Sequence, residues 1–110
     1  LPPIVAVIEG EVVGWGSLTF YNSRTRNTVW DSVYVRHDLL GRGIGSQLLS
    51  ALIEEAREHK CHSMVAGVNS GQDRSYSLHK KFGFLDVGTV REASFKHGQW
   101  VDQRILQLML

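Results

Sequence analysis

Apolar and polar positions change rhythm several times along the chain, and each change marks an element. In PIVAVIEGEVVGWGSLTF two β-rich runs flank Glu9-Gly10-Glu11, with a glycine where φ must be positive, which predicts an antiparallel hairpin closed by a tight turn. The polar stretch NSRTRN at 22–27 reads as a loop, and TVWDSVYV at 28–35, rich in β-branched and aromatic residues, reads as a third strand. From Ile44 the rhythm becomes helical. Ile44, Leu48, Leu49, Leu52, Ile53 and Ala56 form one apolar stripe, predicting a helix to about His59. HSMVAGV at 62–68 returns to strand character. In SGQDRSYSLHKKFGF, Ser70 is a candidate N-cap, Tyr76, Leu78 and Phe82 are apolar, and Gly83 stands where a helix would stop. Strands are expected again from Phe84 to about Val90 and from Trp100 to Leu110, joined by the turn-prone FKHG. The order β-β-β-α-β-α-β-β describes an α/β chain, a mixed sheet flanked by helices.

Composition narrows this picture to a single domain over 1–110. With 110 residues, 43% of them hydrophobic, and two prolines, the chain is long enough for one core and too short for two. Twelve Lys and Arg are scattered against eleven Asp and Glu, which leaves no electrostatic footprint for nucleic acid. No apolar run approaches the roughly 20 residues that span a bilayer. The start, LPPIVAV, lacks the basic flank and cleavage site of a signal peptide, so no membrane partner and a cytoplasmic location are expected. The single Cys61 excludes an internal disulfide and fits a reducing compartment. Leu1 in place of Met suits a chain that begins inside a longer protein.

The chemistry gathers at LGRGIGSQ, 40–47, between the third strand and the first helix. A helix N-terminus leaves backbone N–H groups unpaired and carries partial positive charge, which makes it a natural phosphate cradle. Gly41, Gly43 and Gly45 would let a ligand approach the backbone, and Arg42 would add a charge-assisted contact. A plain strand-to-helix turn competes with this reading. Two phosphate motifs fail by spelling: Gly45 is followed by Ser46-Gln47 and not by Lys-Ser/Thr, and the glycines do not keep the G-x-G-x-x-G spacing.

The wider segment VYVRHDLLGRGIGSQLLSALIEEA resembles the acetyl-CoA-binding region of the GNAT superfamily of N-acetyltransferases, whose pattern is Arg/Gln-x-x-Gly-x-Gly/Ala. Gly43 and Gly45 match it, and Leu40 stands where the family places Arg or Gln. SYSLHKKFGF resembles the family's next helix and strand, and FKHGQWVDQRILQLML resembles the terminal strand of the phosphinothricin and methionine sulfone acetyltransferases. The likeness runs over about 4–110. It implies the GNAT acyl-CoA N-acyltransferase fold, mostly antiparallel, with acetyl-CoA as co-substrate and a small-molecule primary amine as acceptor.

Carried over by residue, the resemblance implies that the backbone of Val33, Tyr34 and Val35 pairs with the pantetheine arm. It places the pyrophosphate on Gly41, Arg42, Gly43, Ile44, Gly45 and Ser46, and gives Gln72 and Ser75 further contacts to the co-substrate. His79 corresponds to the group that protonates the departing thiolate, with the strand backbone near Val35 polarising the carbonyl; a surface histidine beside Lys80 and Lys81 is the plain alternative. An amine attacks only when deprotonated, and the carboxylate of the family's base is replaced by Trp30. Asp31 lies next to it. Neighbouring strand residues face opposite ways, so Asp31 serves only if a bulge rotates it; otherwise a water relays the proton to solvent. Asn22, Arg24, Trp30 and Ser32 are expected on the acceptor side.

His59, Cys61 and His62 lack the spacing of a closed zinc site, and no metal is expected. Set beside the family, the chain starts at its second strand, without the first strand and helices. One sheet face should then be uncovered, which favours a homodimer. The acceptor expected is a small amino acid or an analogue of the phosphinothricin or methionine sulfone type. Another amine (polyamine, antibiotic or peptide) and a non-catalytic acetyl-CoA-binding module are the rival readings.

Overall fold

The computed structural model describes all of residues 1–110. Strands β1 (Ile4–Ile8), β2 (Glu11–Phe20) and β3 (Thr28–Val35) precede helix α1 (Ile44–Glu58); β4 (Ser63–Asn69), α2 (Asp73–Lys81), β5 (Leu85–Lys96) and β6 (Gln99–Met109) complete the chain. The element order is the one expected, with one short 3-10 turn, His37–Leu39, added before α1. The strands hydrogen-bond in the order β1-β2-β3-β4-β6-β5. Two compact units are distinguishable, Leu1–Met64 with Leu110, and Val65–Met109.

In the first unit, Glu9 and Gly10 both have positive φ, 50° and 81°, which gives the two-residue turn whose twist matches that of its strands. The register then shifts: Val7 pairs with Val12 but Ala6 pairs with Gly14, leaving Val13 as an extra residue in β2. That bulge turns Val13 inward, where it is buried with Leu39, Ile44 and Leu48. Gly14 and Gly16 follow for a steric reason. A Cβ on Gly14 would lie 2.8 Å from the Tyr34 carbonyl oxygen and 3.2 Å from a Leu48 methyl, and one on Gly16 would lie 2.9 Å from Leu52. The bare backbone thus lets α1 settle directly on β2. All six residues of the expected stripe, Ile44, Leu48, Leu49, Leu52, Ile53 and Ala56, are buried.

Strand direction follows from the ends. Asn27, just before β3, accepts from His62 N–H at 2.7 Å, just before β4, so β3 and β4 start side by side with α1 as their crossover. Leu110 N–H reaches the His62 carbonyl at 2.9 Å, which sets the end of β6 beside the start of β4. The sheet is therefore mixed. The other face of the first unit carries no helix: Val5 pairs with Trp15 and Trp15 with Tyr34, all three exposed, and the two rings stack at 6.1 Å.

In the second unit two expectations are corrected. Ser70 does not cap α2; Gln72 holds the N-cap position without a side-chain cap bond, because a turn closed by Gln72 N–H on the Asn69 carbonyl at 3.0 Å, with Gly71 at φ 91°, places Ser70 before the helix start. The last two strands are also longer than expected. β5 runs to Lys96 and β6 starts at Gln99, so the turn contracts to His97 and Gly98, again both at positive φ, 51° and 78°. A register irregularity between Val90 and Ser94 is held by Asp102, whose Oδ1 accepts from Glu92 N–H at 2.8 Å. No helix is long and apolar enough to cross a membrane.

Candidate active site

The loop before α1 is built for backbone exposure. Gly41 and Gly43 have φ of 81° and 80°, a conformation that costs an L-residue roughly 1–2 kcal/mol. Gly43 is the N-cap and makes no side-chain cap bond; its carbonyl accepts the first helical bond, from Gln47 N–H at 3.1 Å. The N–H groups of 41–46 find no protein acceptor, which is the condition a phosphate cradle requires. Arg42 is exposed at the lip. Ile44 can offer only its N–H, because its side chain is in the core. Gly45 is already helical, so its value lies in the missing Cβ and not in a special φ. Leu40, half-buried, supplies no polar group to the loop.

Strand β3 separates its residues by face. Val29 and Asp31 are buried and Val33 and Val35 pack against the core, whereas Trp30, Ser32 and Tyr34 point the other way. Its pairing with β2 runs from Phe20–Val29 to Gly14–Val35 without a slip. The bulge that would rotate Asp31 to the Trp30 side is therefore missing from this ladder, and Asp31, 9% exposed, stays on the α1 face. Trp30 stacks on Tyr21 at 5.5 Å, with the planes 18° apart. Asn22 Oδ1 accepts from Arg24 N–H at 2.8 Å, a local Asx turn that accounts for the asparagine, and Arg24 is exposed in the loop.

In the second unit, α2 presents Gln72, Ser75 and His79. Gln72 Oε1 accepts from Asn69 N–H at 3.2 Å, leaving its amide N–H groups to donate elsewhere. His79 is 3% exposed, which removes the surface alternative. Its Nδ1 lies 2.7 Å from the Ser75 carbonyl. A carbonyl only accepts, so Nδ1 carries the hydrogen. The ring meets Phe84 edge-on, centroids 4.9 Å apart and planes at 88°. Phe84 was not among the expected site residues; its signal was its place directly after the helix-stopping Gly83.

A polar cluster that sequence spacing did not reveal lies behind α2. Tyr76 Oη donates to Asp86 Oδ2 at 2.8 Å, Lys80 reaches the same oxygen at 3.3 Å, and the Arg104 guanidinium covers the Tyr76 ring at 4.2 Å. The Tyr76 hydrogen bond, helped by Lys80, holds the Asp86 carboxyl below the usual carboxylate range. Beside it is a cavity of about 340 Å³ lined by Gln72, Asp73, Tyr76, Asp102 and Arg104. At the end of α1, His59 Nδ1 is 2.9 Å from the Glu55 carbonyl, and burial pushes the Cys61 thiol pKa up.

Residues 2–84 match the model of the acetyltransferase (GNAT) family, and the chain belongs to that family. The fold agrees: yncA of Salmonella typhimurium, solved with its cofactor acetyl-CoA, superposes with a TM-score of 0.94 at 39% identity, over 99% of this chain and 64% of that one. Among curated relatives, the L-methionine sulfoximine/L-methionine sulfone acetyltransferase of Pseudomonas aeruginosa is 44% identical, over 92% of this chain and 60% of its own. The phosphinothricin N-acetyltransferase of Alcaligenes faecalis is 36% identical, over 97% of this chain and 56% of its own. The chain thus spans about three fifths of the length of the relatives it matches. GNAT acetyltransferases use acetyl-CoA, and the unpaired amides of 41–46 fit a pyrophosphate.

Proposed function

We propose that this chain carries an acetyl-CoA-dependent N-acetyltransferase acting on the primary amine of a small amino acid or analogue, of the methionine sulfone, methionine sulfoximine or phosphinothricin type. The observation that carries the reading is the glycine-opened row of free amides at 41–46, inside a chain 44% identical to an acetyltransferase for such substrates. In this reading 41–46 bind the pyrophosphate, the backbone of Val33, Tyr34 and Val35 orients the pantetheine, and Gln72 and Ser75 add contacts. Acetyl-CoA supplies the acyl group as a thioester; the amine nitrogen forms the new C–N bond, the C–S bond breaks, and coenzyme A leaves as a thiol. His79, as the imidazolium, gives the thiolate its proton from Nε2 and is left as the neutral Nδ1–H form, since Nδ1 is committed to Ser75; water returns the Nε2 proton before the next turnover. The Val35 backbone polarises the carbonyl. With Asp31 on the α1 face, the amine's proton leaves through a water to solvent, while Trp30, Ser32, Asn22 and Arg24 meet the acceptor.

Thiol release from acetyl-CoA, measured with a panel of amino acids, polyamines and peptides, tests this. Amine-dependent release with methionine sulfone or phosphinothricin is expected. Binding of acetyl-CoA with no amine-dependent release would overturn it in favour of a binding module. The amine-deprotonation limb of the rate profile should persist in Asp31→Asn; its loss would return the base to Asp31. We further propose a cytoplasmic homodimer joined through the exposed face of Val5, Trp15 and Tyr34, without nucleic-acid or membrane partners. Light scattering showing only monomer would remove the dimer.

A further inference from the structure

We infer that the stop of α2 is a positioning device for His79, with Phe84 as a positioning residue that holds the imidazole in one ring orientation and one tautomer. The inference rests on the reading of His79 as the proton donor, and deepens it. Helix α2 ends in a two-bond reverse turn: Phe84 N–H returns to the His79 carbonyl at 3.1 Å and Gly83 N–H to the Lys80 carbonyl at 3.0 Å, with Gly83 at φ 94°. This is the glycine-stopped helix end in which the residue after the glycine contacts the residue three before the cap. Here those two residues are Phe84 and His79. The same turn that terminates the helix therefore delivers the Phe84 ring edge-on to the imidazole, at 4.9 Å and 88°.

These contacts act together on one ring. The Ser75 carbonyl, one turn back, takes the Nδ1 hydrogen at 2.7 Å and fixes χ2 to one of its two flipped states. The Phe84 ring, itself fully buried, blocks rotation about χ1 on its side. The Phe84 N–H bond to the His79 carbonyl ties the two residues' backbones together, so the contact cannot slide. Nδ1 keeps its hydrogen whether the ring is neutral or charged, and every proton that His79 exchanges must pass through Nε2. A flipped ring would present the wrong nitrogen, which is the failure this arrangement prevents.

Histidine ¹⁵N–¹H correlation spectra of the full chain, across a pH titration, test the tautomer. The expected result is an Nδ1 proton on His79 at every pH, slow to exchange with water; an Nδ1 that loses its proton at any pH overturns the inference. Phe84→Leu should lower kcat about tenfold, leave KM for acetyl-CoA within about twofold, and speed Nδ1–H exchange. Phe84→Tyr, which keeps the ring, should retain kcat and slow exchange. Equal kcat and exchange in all three proteins overturns the positioning role. If Phe84→Leu yields no folded protein, the exchange rate in the unsubstituted chain decides alone. His79→Ala separates the two readings: retained kcat sinks the donor role, yet a protected Nδ1 proton in the parent chain would still stand.

Discussion

Trp30 and Asp31 show how much one position along a strand decides. Alternation of faces is the rule behind the expectation that Asp31 could serve only through a bulge, and the β2–β3 register contains no such bulge. The glycine loop is testable at the same scale. Gly43 has open space around a virtual Cβ, so Gly43→Ala meets no clash in the free protein and acts through its φ of 80° and by crowding the cradle. Acetyl-CoA affinity should fall about tenfold or more, measured by calorimetry; unchanged affinity would show that the pyrophosphate sits elsewhere. Lys60 is the opposite case. It closes α1 at φ 61°, with Lys60 N–H on Arg57 and Cys61 N–H on Ala56, a glycine-type helix end without the glycine. Lys60→Gly should raise stability by about 0.5–1 kcal/mol in urea unfolding.

Among the elements, α1 was readable because six buried residues repeat at the helical period, and nothing else in the chain competes with that signal. β5 was not. Eleven of its twelve residues are exposed, so no in-out alternation marks where it ends, and it is defined by its pairing with β6. The Val13 bulge was hidden for a related reason: an extra residue breaks the period of two without changing composition. Of the candidate site, the loop and His79 are visible as residue types in order, whereas the Phe84 contact and the neighbouring Asp86 cluster depend on contacts that spacing does not encode. The seat of α1 makes a firm prediction. Gly14→Ala puts a Cβ 2.8 Å from a backbone oxygen that cannot swing away, and should cost about 1–3 kcal/mol in denaturant unfolding, whereas Gly88→Ala, at a position without positive φ, meets no such neighbour. Equal losses at the two sites would contradict the packing account.

For the molecule as a whole, acid stability carries the clearest sign. The Asp86 carboxyl is held below its ordinary range of about 3.8 by Tyr76 and Lys80, so its contribution is complete above the unfolded-state pKa and disappears as pH falls through the lowered folded value. Thermal midpoints between about pH 5 and pH 2 should drop less steeply in Asp86→Asn than in the parent chain. Parallel slopes would mean that the cluster does not couple to folding.

The chain has three tryptophans, and none is buried: Trp15 and Trp30 lie on the helix-free face of the first unit, and Trp100 meets Phe95 near the His97-Gly98 turn. Intrinsic fluorescence is therefore a poor gauge of unfolding, since the indoles already contact water in the native state. The same property makes it a direct optical sensor of coverage. Anything that settles on the face of Trp15 and Tyr34 must dry an indole, and the emission maximum should move to shorter wavelength as it does so.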